Sequence, residues 1–212
     1  MIRTRLLAAL LLLVAAPALT ACGPLGALRT AAEPLQAFTL QPAAFQPGTT
    51  ATGRHLFVDT PATSGAIDTD RILVKPSPVQ VQYLPGARWI DTAPELVQSL
   101  LMETLQKTNA FRFVARTTAG PMPDYTLLTE IIDFQAEATR DPELPIVVRV
   151  TFSVALVREE DRAIISSRQV SATRSVPSAD TFAIVAAFDA ATDEALAETT
   201  SWLLSLFGIR PS

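Results

Sequence analysis

Covalent chemistry in this chain is bounded by one thiol, Cys22, and one imidazole, His55. A Ser or Cys nucleophile needs a base beside it, so any hydrolytic site would rest on His55 alone. His55 lies at the start of the strand candidate Arg54-His-Leu-Phe-Val-Asp59, and no Gly-x-Ser-x-Gly elbow occurs in the sequence. A solvated or hydrogen-bonded strand residue is the better reading. The spacings His-x-His, His-Glu-x-x-His and Cys-x-x-Cys are also missing, so neither a transition-metal site nor a cofactor is expected. Asp68-Thr-Asp70 offers two carboxylates, but it precedes Arg71 in a turn, where Asp is favoured for backbone reasons, and no calcium-loop pattern follows. Glu159, Glu160 and Asp161 read as a solvated hairpin tip. Gly48-Thr-Thr-Ala-Thr-Gly53 lacks both the Lys and the following helix of a phosphate loop. No enzyme is expected.

Cys22 has a different chemistry written around it. Met1 to Arg5 is short and basic, Leu6 to Leu19 is almost wholly apolar, and Leu19-Thr20-Ala21-Cys22 closes with small residues. That is the layout of a secretion signal, and its apolar run is shorter than the roughly 20 residues a spanning helix needs. Leu19, Thr20, Ala21 and Cys22 resemble the bacterial lipobox, which directs a diacylglycerol to the thiol and cleavage just before it. The expectation is a signal peptide over 1–21, a lipidated tether over 22–34 and a folded domain over 35–212. Acylation also caps a lone thiol that would be a liability in an oxidising compartment. Gly23, in place of Asp, points to the periplasmic face of the outer membrane under the enteric sorting rule.

The formal charge is −4. Loss of Arg3 and Arg5 with the signal leaves 15 basic against 21 acidic residues, a charge of −6. An acidic chain without Lys/Arg clusters has no nucleic-acid footprint and no electrostatic hold on anionic headgroups. Attachment must therefore come from lipid. About 190 mature residues bury about 70% of their unfolded surface as one domain, without metal or disulfide.

The positioning elements follow from period and punctuation. Strands are expected at Leu35–Leu40, Arg54–Asp59, Arg71–Lys75 and Val79–Leu84, the last half-buried by its strict alternation. Thr92-Ala-Pro-Glu95 has the form of a capping box, and Leu96, Val97, Leu100, Leu101 and Leu105 recur at helical spacing until Asn109. Phe111–Val114 is a short strand. From Asp124 to Ala136 the extended pattern doubles its apolar phase at Leu127-Leu128 and Ile131-Ile132, which requires two covered faces or a bulge. Ile146 to Leu156 is the clearest strand, joined through Arg158–Arg162 to a returning strand over Ala163–Val176. Pro177-Ser-Ala-Asp180 opens a last helix with a Ser cap, and Gly208 closes it. The fold class is α+β: one domain, a mixed and mostly antiparallel sheet, and two main helices packed on one face.

The order of these pieces resembles the auxiliary lipoprotein component of bacterial ABC-type transporters. Phe38-Thr39-Leu40 follows the lipobox, then Asp70-Arg71-Ile72-Leu73-Val74 and Val81-Gln-Tyr83. Ala87-Arg88-Trp89 stands before the helix with Pro94, Leu96 and Leu100; Asp124-Tyr125-Thr126-Leu127, Ile131 and Phe134 come next. Val185 to Ala191 and Trp202-Leu203 close the series. Departures are Ala37-Phe38, where paired tyrosines are frequent, and a hairpin tip without glycine. The resemblance implies a non-catalytic periplasmic partner of proteins with mammalian-cell-entry (MCE) domains and of ABC transporter components, acting in lipid transport between membranes. Arg88 and Trp89 read as strand-end packing and a salt bridge, with a role as partner contacts as the alternative, and a homo-oligomer stays open. The alternative is a lipoprotein that binds lipid or lipopolysaccharide directly.

Overall fold

A computed structural model describes residues 34–45, 51–116 and 122–209. Its centre is a pair of long strands. β7 (Tyr125–Ala138) runs antiparallel to β8 (Ile146–Arg158), and β8 runs antiparallel to β9 (Ala163–Val176). The other edge of β7 is shared by three short parallel strands in succession: β2 (His55–Val58), β3 (Ala62–Thr63) and β4 (Arg71–Ser77). The sheet therefore forks beyond β7. On one branch β6 (Phe113–Ala115) pairs parallel with β2; on the other, β5 (Gln80–Trp89) folds antiparallel onto β4, and β1 (Gln36–Phe38) lies parallel to β5. The long ladders are antiparallel and the short ones parallel.

The doubled phase in β7 is a bulge. Ile131 pairs with Phe152 and Asp133 with Thr151, so Ile132 is the extra residue that shifts the register. Leu127, Ile131, Phe134 and Ala136 then share one face with Leu156, Phe152, Val150 and Val148 of β8, all of them buried. Helix α1 (Ala93–Lys107) packs on the β2 and β6 branch, and α2 (Thr181–Leu206) on β8 and β9; the two helices also touch each other. Both cover the same face. At the outer strand, Arg168 and Arg174 pair with Glu198 and Glu194 of α2, fastening the helix along β9.

The helix ends differ from the sequence reading in detail. Thr92 is the residue before α1, but its hydroxyl donates to the Glu95 carboxylate at 3.2 Å rather than accepting a backbone N–H. The cap of α2 is Asp180, which accepts from the Ala183 N–H at 3.0 Å; Ser178 instead accepts from the Asp180 N–H. Asp outcompetes Ser there because an anion gains from the helix dipole as well as the hydrogen bond. Gly208, at φ 70, ends α2 with Ile209 N–H bonded to Leu204 O and Gly208 N–H to Ser205 O, the two bonds of a Schellman turn.

The hairpin of β4 and β5 corrects one expectation. Val79 is 95% exposed and Val81 49%, so its alternation marks a strand whose tip stands clear of the core. Pro85-Gly86 does not end β5, because Gly86 takes φ 71 and absorbs the register shift between Leu73↔Tyr83 and Arg71↔Arg88.

Candidate functional site

Leu19, Thr20, Ala21 and Cys22 lie outside the described residues. Arg88 and Trp89, adjacent in β5, are pointed apart by the pleat. The Trp89 side chain is 1% exposed, packed between Phe134 and Phe188 at ring-centroid distances of 5.7 and 5.2 Å. This removes it as a partner contact: an indole in that position ties β5 to β7 and α2. Arg88 stays at the surface, its guanidinium donating to Asp70 at 3.4 Å and to the Trp89 carbonyl at 3.2 Å.

The helix-free face of the sheet divides into two halves of different chemistry. Toward the C-terminal end of β7 it is polar: the Gln135 amide donates to Asp133 and Glu137, and Arg149 pairs with Glu137 at 3.3 Å. Toward the N-terminal end of β7 it is apolar. Phe57 of β2, Leu128 of β7, Val157 of β8 and Ile164 of β9 floor an open groove of about 720 Å³, with Met122 and Pro123 at its border. Ile164 is 65% exposed and Met122 85%. Beside the groove lies a charged recess of about 500 Å³ that shares Met122, Pro123 and Glu159 with it and is lined further by Arg54, Asp124, Tyr125, Arg158 and Glu160.

Long-range pairs fix the recess. Asp124 accepts from the His55 backbone N–H at 2.8 Å and from Arg54 at 2.9 Å, joining the start of β2 to the start of β7. The His55 ring meets Phe113 edge-on at 6.3 Å. At the hairpin tip Arg158 clamps Asp161 with two hydrogen bonds of 2.9 and 2.7 Å, and Glu159 accepts from Thr126 and Arg162. Among the described residues no cluster of His, Cys, Asp and Glu has the form of a metal site. The chemistry on offer is an open aliphatic floor beside a mixed-charge rim, to which Asp59, Thr126, Glu159 and Arg162 also belong.

These contacts lower carboxyl pKa values for separate causes. The His55 N–H, and then Arg54, hold Asp124 below its usual range. The Thr126 hydroxyl does the same for Glu159, and Arg158 brings Asp161 down to about 2. Burial pushes Glu137 upward, but Gln135 and Arg149 together outweigh it and leave it low. Each folded pKa lies below its unfolded value, so each contributes stability that is complete above the unfolded values of 3.8 for Asp and 4.5 for Glu and fades as pH falls through the folded ones. The urea midpoint is expected to stay level from pH 7 to about 5 and to fall below about 4.5. In Asp124→Asn that acid slope should be shallower; a midpoint that rises on acidification contradicts the assignment.

The family model of the ABC-type transport auxiliary lipoprotein component matches residues 38–199, from the end of β1 into the last third of α2. The chain belongs to this family. That family is described as a lipoprotein component auxiliary to ABC-type transport. No helix among the described residues is long and apolar enough to cross a membrane. The crystal structure of protein XCC0632 from Xanthomonas campestris is similar in fold, with a TM-score of 0.74, 22% identity, and coverage of 82% of this chain and 97% of that one. A second crystal structure, of an uncharacterized protein, gives a TM-score of 0.61 at 14% identity over 81% of this chain and 99% of the other. An uncharacterized protein from Bradyrhizobium diazoefficiens is 26% identical over 150 residues, 69% of this chain. The chain spans 38% of the length of that relative.

Sequence reasoning missed the groove and the Arg54–Asp124 pair. Phe57, Leu128, Val157 and Ile164 come from four strands, and each reads singly as an ordinary outward position. The one usable signal was the aliphatic content of the supposedly exposed phase at Leu128 and Val157.

Proposed function

We propose that the chain is a non-catalytic accessory lipoprotein of an MCE-type ABC system for lipids or other hydrophobic molecules. Lipid on Cys22 holds it to the periplasmic face of the outer membrane, and its folded domain docks on the MCE-domain assembly. The observation that carries this reading is the family match, which runs through nearly all of the folded domain rather than one motif. The acidic charge of −6 left after signal removal gives no electrostatic route to a membrane, which supports attachment through the anchor. Tether length fits as well: thirteen residues from Cys22 to Pro34 reach up to about 45 Å when extended, room for the domain to meet a partner standing off the membrane.

Chemical crosslinking of the tagged full-length protein in intact cells, followed by mass spectrometry, is expected to recover an MCE-domain protein. Recovery of unrelated envelope proteins alone contradicts the reading.

A further inference from the structure

We infer that the groove floored by Phe57, Leu128, Val157 and Ile164 binds the alkyl chain of a phospholipid-type amphiphile, with its charged head in the adjoining recess. The floor is the pleated face of β2, β7, β8 and β9. Within that patch β2 is paired on both sides by β6 and β7, β7 by β2 and β8, and β8 by β7 and β9. An extended peptide laid over those three strands would bury its own N–H and C=O groups without partners; within the patch β9 alone, paired only by β8, keeps an open edge. An alkyl chain brings no such groups. It gains from removing exposed aliphatic surface, of which Ile164 and Met122 hold the largest share at 65% and 85% exposure. The volume of about 720 Å³ lies within the usual range of small-molecule sites, about 300–1,000 Å³.

The head is indicated by charge. Arg54 spends one hydrogen bond on Asp124, and Arg158 commits Nε and Nη2 to Asp161, so each guanidinium retains N–H donors at the recess. They can donate to a phosphate. Glu160, also lining the recess, has no ion pair among the described residues and can accept from an ammonium group. Two guanidiniums beside the carboxylates of Asp124, Glu159 and Glu160, at the mouth of one aliphatic groove, offer partners to both charges of a zwitterionic head, which a neutral sugar or a simple carboxylic acid lacks.

The test uses the Cys22→Ser chain, which keeps every residue of the folded domain, with lysophosphatidylethanolamine and an alkyl glucoside of the same chain length as probes. Native mass spectrometry should show one lysophospholipid per chain. Ile164→Asp and Val157→Asp should each lose at least tenfold in affinity for both probes. Arg54→Gln should lose severalfold for the lysophospholipid alone, and Val79→Asp, on the distant hairpin tip, should bind as the parent. Ile164 and Val79 are largely exposed, so both variants should keep the parent's circular dichroism and melting temperature. No binding by the parent, equal binding by Ile164→Asp, or an equal loss in Val79→Asp overturns the site. Equal affinity for both probes with no effect of Arg54→Gln overturns the head assignment. If Ile164→Asp binds amphiphile normally but loses its crosslink to a protein partner, the groove is a protein contact and the inference fails. Binding is read without any partner, so failure here leaves the docking proposal standing.

Discussion

Cys22→Ser should move the protein from the membrane pellet to the soluble periplasmic fraction with its fold intact. The expected shift is large because nothing among the described residues competes with the anchor. No described helix can span a bilayer, and the charge after signal removal is −6. One buried acyl chain contributes about 0.8 kcal/mol per CH₂, and a single myristoyl chain alone gives an association constant of about 10⁴ M⁻¹. A thioether-linked diacylglycerol supplies two chains, so membrane retention should fall by at least about 100-fold. The thermal midpoint should be unchanged, since Cys22 precedes the compact unit that begins at Gln36. Fractionation with immunoblotting reads the result, and retention of Cys22→Ser in the membrane would refute anchoring through that thiol.

The second large effect is on stability. Trp89→Ala should cost about 3–5 kcal/mol, the usual range for a fully buried large aromatic. Trp89 is 1% exposed and contacts Phe134 of β7 and Phe188 of α2, while those two rings also meet each other at 5.2 Å. Removing the indole therefore opens a cavity where three elements converge, and rigid strands on two sides limit its collapse. Against a typical total stability of about 5–15 kcal/mol this leaves a marginal protein. Arg88→Ala, one residue away, should cost at most about 1 kcal/mol because its pair with Asp70 is partly exposed at 3.4 Å. Urea titration of both variants separates the two roles. A loss below about 1 kcal/mol for Trp89→Ala would mean that the site repacks and that the three-ring cluster does not hold the sheet to α2.

The long elements were legible because their signals were redundant. Ile146 to Leu156 alternates without interruption, and the structure gives a strand over Ile146–Arg158; α1 begins one residue after Thr92. Legibility fails where pairing rather than side-chain pattern defines the element. β3 has two residues, Ala62 and Thr63, held by the edge of β7 alone, and no periodicity exists at that length. At β7 the doubled apolar phase allowed two explanations, and the pairing on β8 decided for a bulge at Ile132. Val79 and Val81 misled for the opposite reason: alternation reports that a strand has two faces, not that either is covered. The site was the least legible part. Cys22 stands out because its chemistry is local and linear. By contrast, Arg54 and Asp124 are 70 residues apart and meet only because β2 lies parallel to the start of β7. Strand-end packing is what the sequence suggests for Trp89, with a partner contact as the alternative, and the alternation of β5 places it inside.

Docking is tested most directly by a photo-crosslinking amino acid placed at Arg88 in the full-length protein, activated in intact cells. Arg88 is the one sequence-derived contact candidate that remains at the surface. A covalent adduct with an MCE-domain protein, lost when Cys22→Ser is combined with it, is the expected result. Adducts with unrelated envelope proteins alone, from this position and from the general crosslinking of the wild-type protein, would contradict the proposed function.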